Sequence, residues 1–143
     1  MTDINFYVGK QQSLDGRLAI ACVLVNKALE HKLRVHIHTD QPTTSQKLDT
    51  LLWTHNEQSF LPHALVDTQT KPHPLDKITI SHEFEPLQHC DYLINLSNQR
   101  PSFFSRFKKM AEIIDKTEEI LTAGRKRYAF YRDRGYTLEY HQL

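Results

Sequence analysis

The fold is decided by residues 4–39, which read INFYVGKQQSLDGRLAIACVLVNKALEHKLRVHIHT. Residues 4–8 form a short β-branched and aromatic run, and residues 35–39 alternate apolar with polar side chains, so both stretches predict strands. Between them, apolar residues recur at steps of three and four, and Ser13 or Asp15 is placed to cap the start of a helix. The stretch therefore predicts a strand, a helix and a second strand in succession.

The same alternation continues along the rest of the chain. The patterns predict a helix at residues 43–53, strands at residues 78–81, 92–96 and 136–140, and a short aromatic turn at residues 101–107. Residues 109–114 fit either a helix or a strand, whereas residues 117–134 predict a helix that ends at Gly135, the residue type best able to take the left-handed conformation. We therefore expect one domain over residues 1–143, an α/β three-layer sandwich with a mostly parallel central sheet and helices on both faces.

Composition and charge restrict the class of protein. The 143 residues are 39% hydrophobic and 24% charged, which suits a globular domain with its own core. Lys and Arg number 18 against 17 for Asp and Glu, so the net charge of +1 provides no overall attraction to nucleic acid or to an anionic membrane. The sequence has neither a signal-peptide pattern nor a membrane-spanning apolar run, and Cys22 and Cys90 lack metal-ligand spacing. We expect a cytoplasmic protein.

Motifs for nucleotides, metals and catalysis are missing from the sequence. The turn GKQQSLDG at residues 9–16 contains neither GxGxxG nor GxxxxGK followed by Ser or Thr, so we expect no nucleotide-binding loop and no cofactor. His36 and His38 share one strand face without a third or fourth ligand, and Cys90 has no evident base to activate it. We therefore predict no metal site and no catalytic residue, and keep a degenerate α/β nucleotide-binding enzyme as the alternative.

The C-terminal helix carries the most informative pattern. At about 100° per residue, one side is predicted to face the sheet and gathers Ile120, Ala123, Phe130 and Tyr131. The opposite, solvent-facing side gathers Leu121, Arg125, Tyr128, Ala129 and Arg132. Two guanidinium groups beside an aromatic ring and an aliphatic floor suit a peptide that carries an aromatic ring and carboxylates. Arg127 points toward the apolar side and would have to extend its charged end to solvent.

Two other interpretations of this face stay open. Cations near a helix C-terminus are favoured by the helix dipole, and arginine-rich faces are often only solvated. Arginine and tyrosine side chains also contact phosphates, so the same residues could bind single-stranded DNA directly. The net charge of +1 argues against nucleic acid as the main partner.

A second candidate surface is formed by residues 53–65, which overlap the long turn-rich segment at residues 54–74. Connections longer than about 12–15 residues are uncommon unless they have a function. Trp53 and Phe60 either anchor this segment to the core or act as the aromatic anchors of a protein interface, and the pattern alone leaves both possibilities open.

In their order along residues 4–138, these features resemble the chi subunit family of bacterial DNA polymerase III. The resemblance rests on Phe6-Tyr7, Leu52-Trp53, Ser59-Phe60-Leu61-Pro62-His63, Asp91-Tyr92-Leu93-Ile94-Asn95-Leu96, and the run from Arg125-Lys126-Arg127-Tyr128 to Gly135. It implies a Rossmann-like fold without a nucleotide, a strand at residues 109–114, and a non-catalytic accessory role in DNA replication.

The resemblance also implies partners. The family pairs with the psi subunit, which connects it to the clamp loader, and binds the acidic C-terminal tail of single-stranded DNA-binding protein, so that DNA is contacted only indirectly. The residues matching the tail-binding site are Leu121, Arg125, Lys126, Tyr128 and Arg132. The residues expected at the psi surface are Trp53, Phe60, Leu61, Pro62 and His63. Ala129 stands where family members can have a lysine, so we expect either a weaker tail pocket or one that uses Arg132 or Lys126 instead.

Overall fold

In the computed structural model, the chain is described over residues 2–54, 63–65, 78–82 and 91–143, with the backbone alone described at residues 53–54 and 63–65. Its strands are β1 Asp3–Gly9, β2 Val35–His38, β3 His63–Leu65, β4 Ile78–Ser81, β5 Tyr92–Asn95, β6 Lys109–Asp115 and β7 Leu138–Gln142. Its helices are α1 Leu14–Glu30, α2 Pro42–Thr54 and α3 Glu118–Asp133, with a short 3-10 helix at Phe104–Arg106.

The strands form one seven-stranded sheet in the order β3-β4-β2-β5-β6-β1-β7. Every described pair is parallel, with β1 lying between β6 and β7. Parallel neighbours require a crossover between them. α1 connects β1 to β2, α2 connects β2 to β3, and α3 connects β6 to β7. The predicted α/β fold with a parallel sheet is therefore confirmed.

Alternate residues of the strands feed two separate cores, one on each face of the sheet. On one face, Ala111 and Ile113 of β6 join a cluster with α1 and α2, including Leu18, Val25 and Leu48. On the other face, Met110 and Ile114 join a cluster with Tyr131 of α3 and with Phe103, Phe104 and Phe107 from the segment before β6. Helices thus cover both faces, as a three-layer sandwich requires.

Local signals explain where α1 and α3 begin or end. The Ser13 side chain accepts a hydrogen bond of 3.1 Å from the backbone N–H of Gly16, so Ser13 rather than Asp15 caps α1. Gly135 follows α3 with φ of +83°, the left-handed conformation that glycine takes without steric cost. Residues 109–114, which fit a helix or a strand, form part of β6, whose residues after Lys109 are all buried. The strand implied by the family resemblance is confirmed there.

Two elements differ from the sequence prediction. The segment at residues 54–74 contains β3, a strand that pairs with β4 at the sheet edge. Its sequence His-Ala-Leu lacks the β-branched and aromatic residues that signal strands. The last strand begins at Leu138 instead of residue 136, because the backbone N–H of Tyr136 bonds to the Tyr131 carbonyl and completes the end of α3.

Candidate binding site beside the C-terminal helix

A pocket of about 340 Å³ lies between α3 and the part of the sheet that ends with β7. Residues from α3, β1, β6 and β7 line it: Phe6, Ile114, Leu121, Gly124, Arg125, Tyr128, Ala129, Arg132 and Tyr140. The floor is apolar, and the polar side chains come from α3 and β7. The pocket has the size and the mixture of apolar lining with a few polar groups that binding sites typically show.

Aromatic packing fixes the Tyr128 ring in the wall of this pocket. Its ring meets Phe6 edge-on at 5.2 Å between centroids, and meets Tyr140 at 6.3 Å with an interplanar angle of 85°. Edge-to-face pairs of this kind are favourable beyond the area that they bury. Tyr128 is therefore held between a β1 side chain and a β7 side chain, with its position set by the sheet.

Gly124 brings α3 close to the sheet beside the pocket. A Cβ atom at this position would lie 3.0 Å from two side-chain carbons of Ile114, closer than ordinary van der Waals contact. A larger residue would push α3 away from β6 or fill the space between them. The close approach of the helix depends on the absence of a side chain here.

Arg125 and Arg132 supply positive charge on either side of Tyr128. Both are exposed, and within the described part of the chain Arg125 forms no ion pair. Arg132 lies 3.4 Å from Asp133, in a pair whose side chains are 63% and 70% exposed. Exposed pairs of this kind contribute little. Both guanidinium groups are therefore available to a bound anion.

The structure brings together most of the residues predicted for tail binding. Leu121, Arg125, Tyr128 and Arg132 line the pocket, whereas the exposed Lys126 does not. Ala129, which the helical spacing placed on the same face, also lines the pocket, and the sequence analysis missed the remaining four residues, Phe6, Ile114, Gly124 and Tyr140. Phe6 and Tyr140 are opposite each other in the β1–β7 register, a proximity that no pattern within one element predicts.

A buried polar cluster lies beneath α3. Glu112 of β6 is fully buried and accepts hydrogen bonds from Arg127 Nε at 3.1 Å, Tyr131 Oη at 2.7 Å and Asn95 Nδ2 at 2.8 Å. Burial raises the pKa of Glu112, and the positive charge of Arg127 opposes that rise. The cluster connects α3 to β5 and β6 through one carboxylate.

This cluster corrects the predicted orientation of α3. Arg127 was expected to extend to solvent, but it is 5% exposed and paired with Glu112. The buried positions of α3 are Gly124, Arg127 and Tyr131, whereas Ile120, Ala123 and Phe130 are partly exposed. Phe130 lies under two guanidinium groups, with the Arg100 Cζ atom 3.7 Å and the Arg134 Cζ atom 4.7 Å from its centroid. An acidic partner on β6 draws Arg127 inward.

The predicted psi surface is only partly within the described structure. Trp53 lies in the last turn of α2, and His63 begins β3. Phe60, Leu61 and Pro62 lie outside the described residues. The backbone thus places Trp53 and His63 on elements at the β3 end of the sheet, whereas the pocket lies near β7 at the opposite end.

A carboxylate occupies the crevice where α/β proteins commonly bind phosphate groups, at the carboxyl ends of the strands. Asp115 ends β6 with a fully buried side chain, and its Oδ2 atom lies 3.1 Å from Arg17 Nε of α1. Its Oδ1 atom accepts a hydrogen bond of 2.8 Å from the backbone N–H of Thr117 at the start of α3. A buried carboxylate paired with an arginine differs from the glycine-rich backbone that holds a phosphate in such a crevice.

The histidines of β2 contribute to packing. His36 is fully buried and its Nδ1 atom lies 2.6 Å from the Thr79 hydroxyl, while His36 and His38 both meet the Phe103 ring edge-on. Burial lowers the pKa of both histidines. Over the residues that the structure describes, no three His, Cys, Asp or Glu side chains are grouped as metal ligands.

We expect acid to destabilise the protein in part through His36. Burial lowers its pKa from 6.5 to about 3, so below pH 6.5 the unfolded chain binds a proton that the folded chain does not. The free energy of unfolding should therefore fall as the pH drops below the pKa of free histidine, by about 1 kcal/mol between about pH 7.5 and about pH 5.5. Chemical denaturation of wild type and His36→Gln at both values measures this. Equal losses in the two proteins would contradict the assignment.

Two comparisons of sequence identify relatives. A family model described as DNA polymerase III chi subunit, HolC, matches residues 1–139. The chain is 32% identical over 143 residues to DNA polymerase III subunit chi of Pseudomonas aeruginosa, with coverage of 100% of this chain and 98% of the relative. It is 28% identical over 120 residues to the protein of the same name from Haemophilus influenzae, with coverage of 83% and 82%.

A comparison of structures finds the same class of fold elsewhere. The chain resembles Mss116p DEAD-box helicase domain 2 bound to an RNA duplex, with a TM-score of 0.63 and 10% sequence identity. The likeness covers 99% of this chain and 64% of the helicase chain, so this chain spans less than two thirds of that protein's length. At this identity the likeness concerns the α/β architecture alone.

Among the described residues, no helix combines the length and apolarity needed to cross a membrane.

Proposed function

Since the chain belongs to the family of DNA polymerase III chi subunits, we propose that it is a non-catalytic adaptor in DNA replication. One surface binds the acidic C-terminal tail of single-stranded DNA-binding protein, and another binds the psi subunit of the clamp loader. The protein thereby connects the polymerase assembly to template DNA that is covered by single-stranded DNA-binding protein, without contacting the DNA itself.

The observation that carries the proposal is the pocket beside α3. It combines an apolar floor with two exposed guanidinium groups, those of Arg125 and Arg132, around the fixed ring of Tyr128. A peptide end that carries an apolar side chain, an α-carboxylate and acidic neighbours matches each part. The apolar side chain packs on Phe6 and Leu121, and the carboxylates accept charge-assisted hydrogen bonds from the arginines.

The psi surface is proposed at the opposite end of the sheet. Its residues are Trp53, Phe60, Leu61, Pro62 and His63, of which the backbone of Trp53 and His63 belongs to α2 and β3. Aromatic and apolar side chains of this kind are typical anchors of protein interfaces. Two separated surfaces allow both partners to bind at once, so that the bridge raises the local concentration of the clamp loader near single-stranded DNA-binding protein.

A binding assay with matched ligands tests the proposal. We expect the full-length protein to bind a synthetic acidic tail peptide of single-stranded DNA-binding protein, to bind the same peptide with an amidated C-terminus more weakly, and to bind a bare single-stranded oligonucleotide least. Binding should weaken as salt is added, because the attraction depends on charge pairing. Tighter binding of the oligonucleotide than of the peptide would favour direct DNA binding and contradict the proposal.

The nucleotide-binding alternative has less support. The fold is of a kind that binds nucleotides in other proteins, but Asp115 places a buried carboxylate in the crevice between β1 and β6. Calorimetric titration of the protein with ATP and with NAD distinguishes the two proposals. Saturable binding of either nucleotide would support the alternative.

A further inference from the structure

The outer edge of β7 has free backbone hydrogen-bonding groups. β7 is the last strand of the sheet, and among the described residues it pairs with β1 alone. Ile4 N donates to the Thr137 carbonyl at 3.0 Å, and Leu143 N donates to the Val8 carbonyl at 3.1 Å. Since successive residues of a strand point to opposite sides, the N–H and C=O groups of Leu138, Tyr140 and Gln142 point away from β1.

This edge lacks the features that usually protect an outer strand. Proteins commonly place lysine, proline or a bulge on such strands to prevent further pairing. β7 reads LEYHQ, without lysine or proline, and its register with β1 runs unbroken from Ile4 opposite Leu138 to Val8 opposite Gln142. The strand is therefore a regular template on which another extended chain can pair.

The pocket beside α3 extends to this edge strand. Tyr140 of β7 lines the pocket and packs edge-on against Tyr128 of α3. A cavity of about 340 Å³ holds only the end of a peptide, so the preceding residues lie outside it, and β7 is the adjacent strand whose outer edge can pair with them. Arg125 and Arg132 select an anionic chain. The negative charge of Glu139 does not face the pocket. His141 stacks on Tyr7, which lies on the face of the sheet opposite the pocket, and Glu139 points to the same face as His141 because alternate residues of a strand share a face.

We infer that the acidic peptide whose end occupies the pocket continues as an added outer strand, hydrogen-bonded to the backbone of Leu138, Tyr140 and Gln142. The inference rests on the proposed function and deepens it. Strand addition supplies affinity through the main chain, and side-chain pockets supply specificity. Peptide residues that differ in sequence thus bind the edge equally, provided that the end fits the pocket and the charges match.

The peptide backbone provides the direct test. Single ester replacements along the tail peptide remove one N–H donor each and leave the side chains in place. We expect an alternating pattern, in which every second replacement weakens binding to the full-length protein by about fivefold and those between have little effect. The protein is unchanged in this experiment, so its folding cannot affect the result. A peptide that binds through Arg125 but shows no alternation would overturn the inference and leave the proposed function standing.

A variant of the edge supplies the matched control. Gln142→Pro removes an outward N–H from β7 without removing a bond to β1, whereas Gln142→Ala removes the side chain and keeps the N–H. We expect Gln142→Pro to bind the tail peptide several-fold more weakly than Gln142→Ala. Equal affinities of the two variants would show that the peptide does not occupy this edge. Failure of the unmodified peptide to bind at all would instead refute the proposed function.

Discussion

Replacing Glu112 with alanine is expected to lower the free energy of unfolding by about 3–5 kcal/mol, since removing one member of a buried ion pair leaves the other charge without compensation. In this protein the charge left without a partner is that of Arg127, which is 5% exposed. Tyr131 and Asn95 also lose the Glu112 carboxylate as their hydrogen-bond acceptor. Chemical denaturation at neutral pH measures the change.

A double variant distinguishes the effect of the unpaired Arg127 charge from the effect of lost packing. Glu112→Gln with Arg127→Met removes both charges and keeps an amide oxygen for Asn95 or Tyr131 to bond. We expect it to be destabilised clearly less than Glu112→Ala, because no charge is left buried without a partner. If the double variant loses as much stability as Glu112→Ala, the ion pair is not the cause of the effect.

Replacing Arg125 with alanine is expected to weaken binding of the acidic tail peptide roughly 10- to 100-fold, the range for losing a hydrogen bond to a charged group. Arg125 lines the pocket beside Tyr128 and has an exposed guanidinium group. Fluorescence titration with the peptide at moderate salt measures the effect. Association with psi should be unaffected, because its proposed surface lies at the other end of the sheet.

Lys126 supplies the control for this prediction. It is adjacent in sequence, exposed and positively charged, but it does not line the pocket. Lys126→Ala should change the affinity by less than about twofold, the effect of removing one screened surface charge. Comparable losses in the two variants would mean that overall charge, rather than the pocket, attracts the peptide. Loss of psi association in Arg125→Ala, with the fold preserved, would contradict the division into two surfaces.

The parts of the fold that local patterns encode were predictable from sequence. β1, α1 and β2 follow from hydrophobic periodicity and from the Ser13 cap, and the end of α3 follows from Gly135. β3 was missed because three residues of weak strand propensity acquire their structure from pairing with β4. Hydrophobic periodicity identifies helices and strands whose own residues favour that structure. It fails where pairing with a neighbouring strand determines the conformation.

The candidate site shows the same division. The helical spacing brought Leu121, Arg125, Tyr128 and Arg132 onto one face, and the structure places these residues around one pocket. The helical spacing also placed Arg127 on the apolar side, where it lies, but the expectation that its charged end reaches solvent was wrong, because its buried partner Glu112 lies on another element. Tyr140 was missed for a related reason, since its position opposite Phe6 depends on the β1–β7 register.

The location of β1 between β6 and β7 has a consequence for synthesis on the ribosome. Asp3 pairs with Lys109 and Ile4 with Leu138, so β1 pairs only with segments that are synthesised much later than β1 itself. Closing so long a loop is slow and entropically costly, and a nascent chain must wait for it. Phe6 and Tyr140 meet in the pocket only at that point, so translation that stops before β7 yields a chain that cannot complete the pocket.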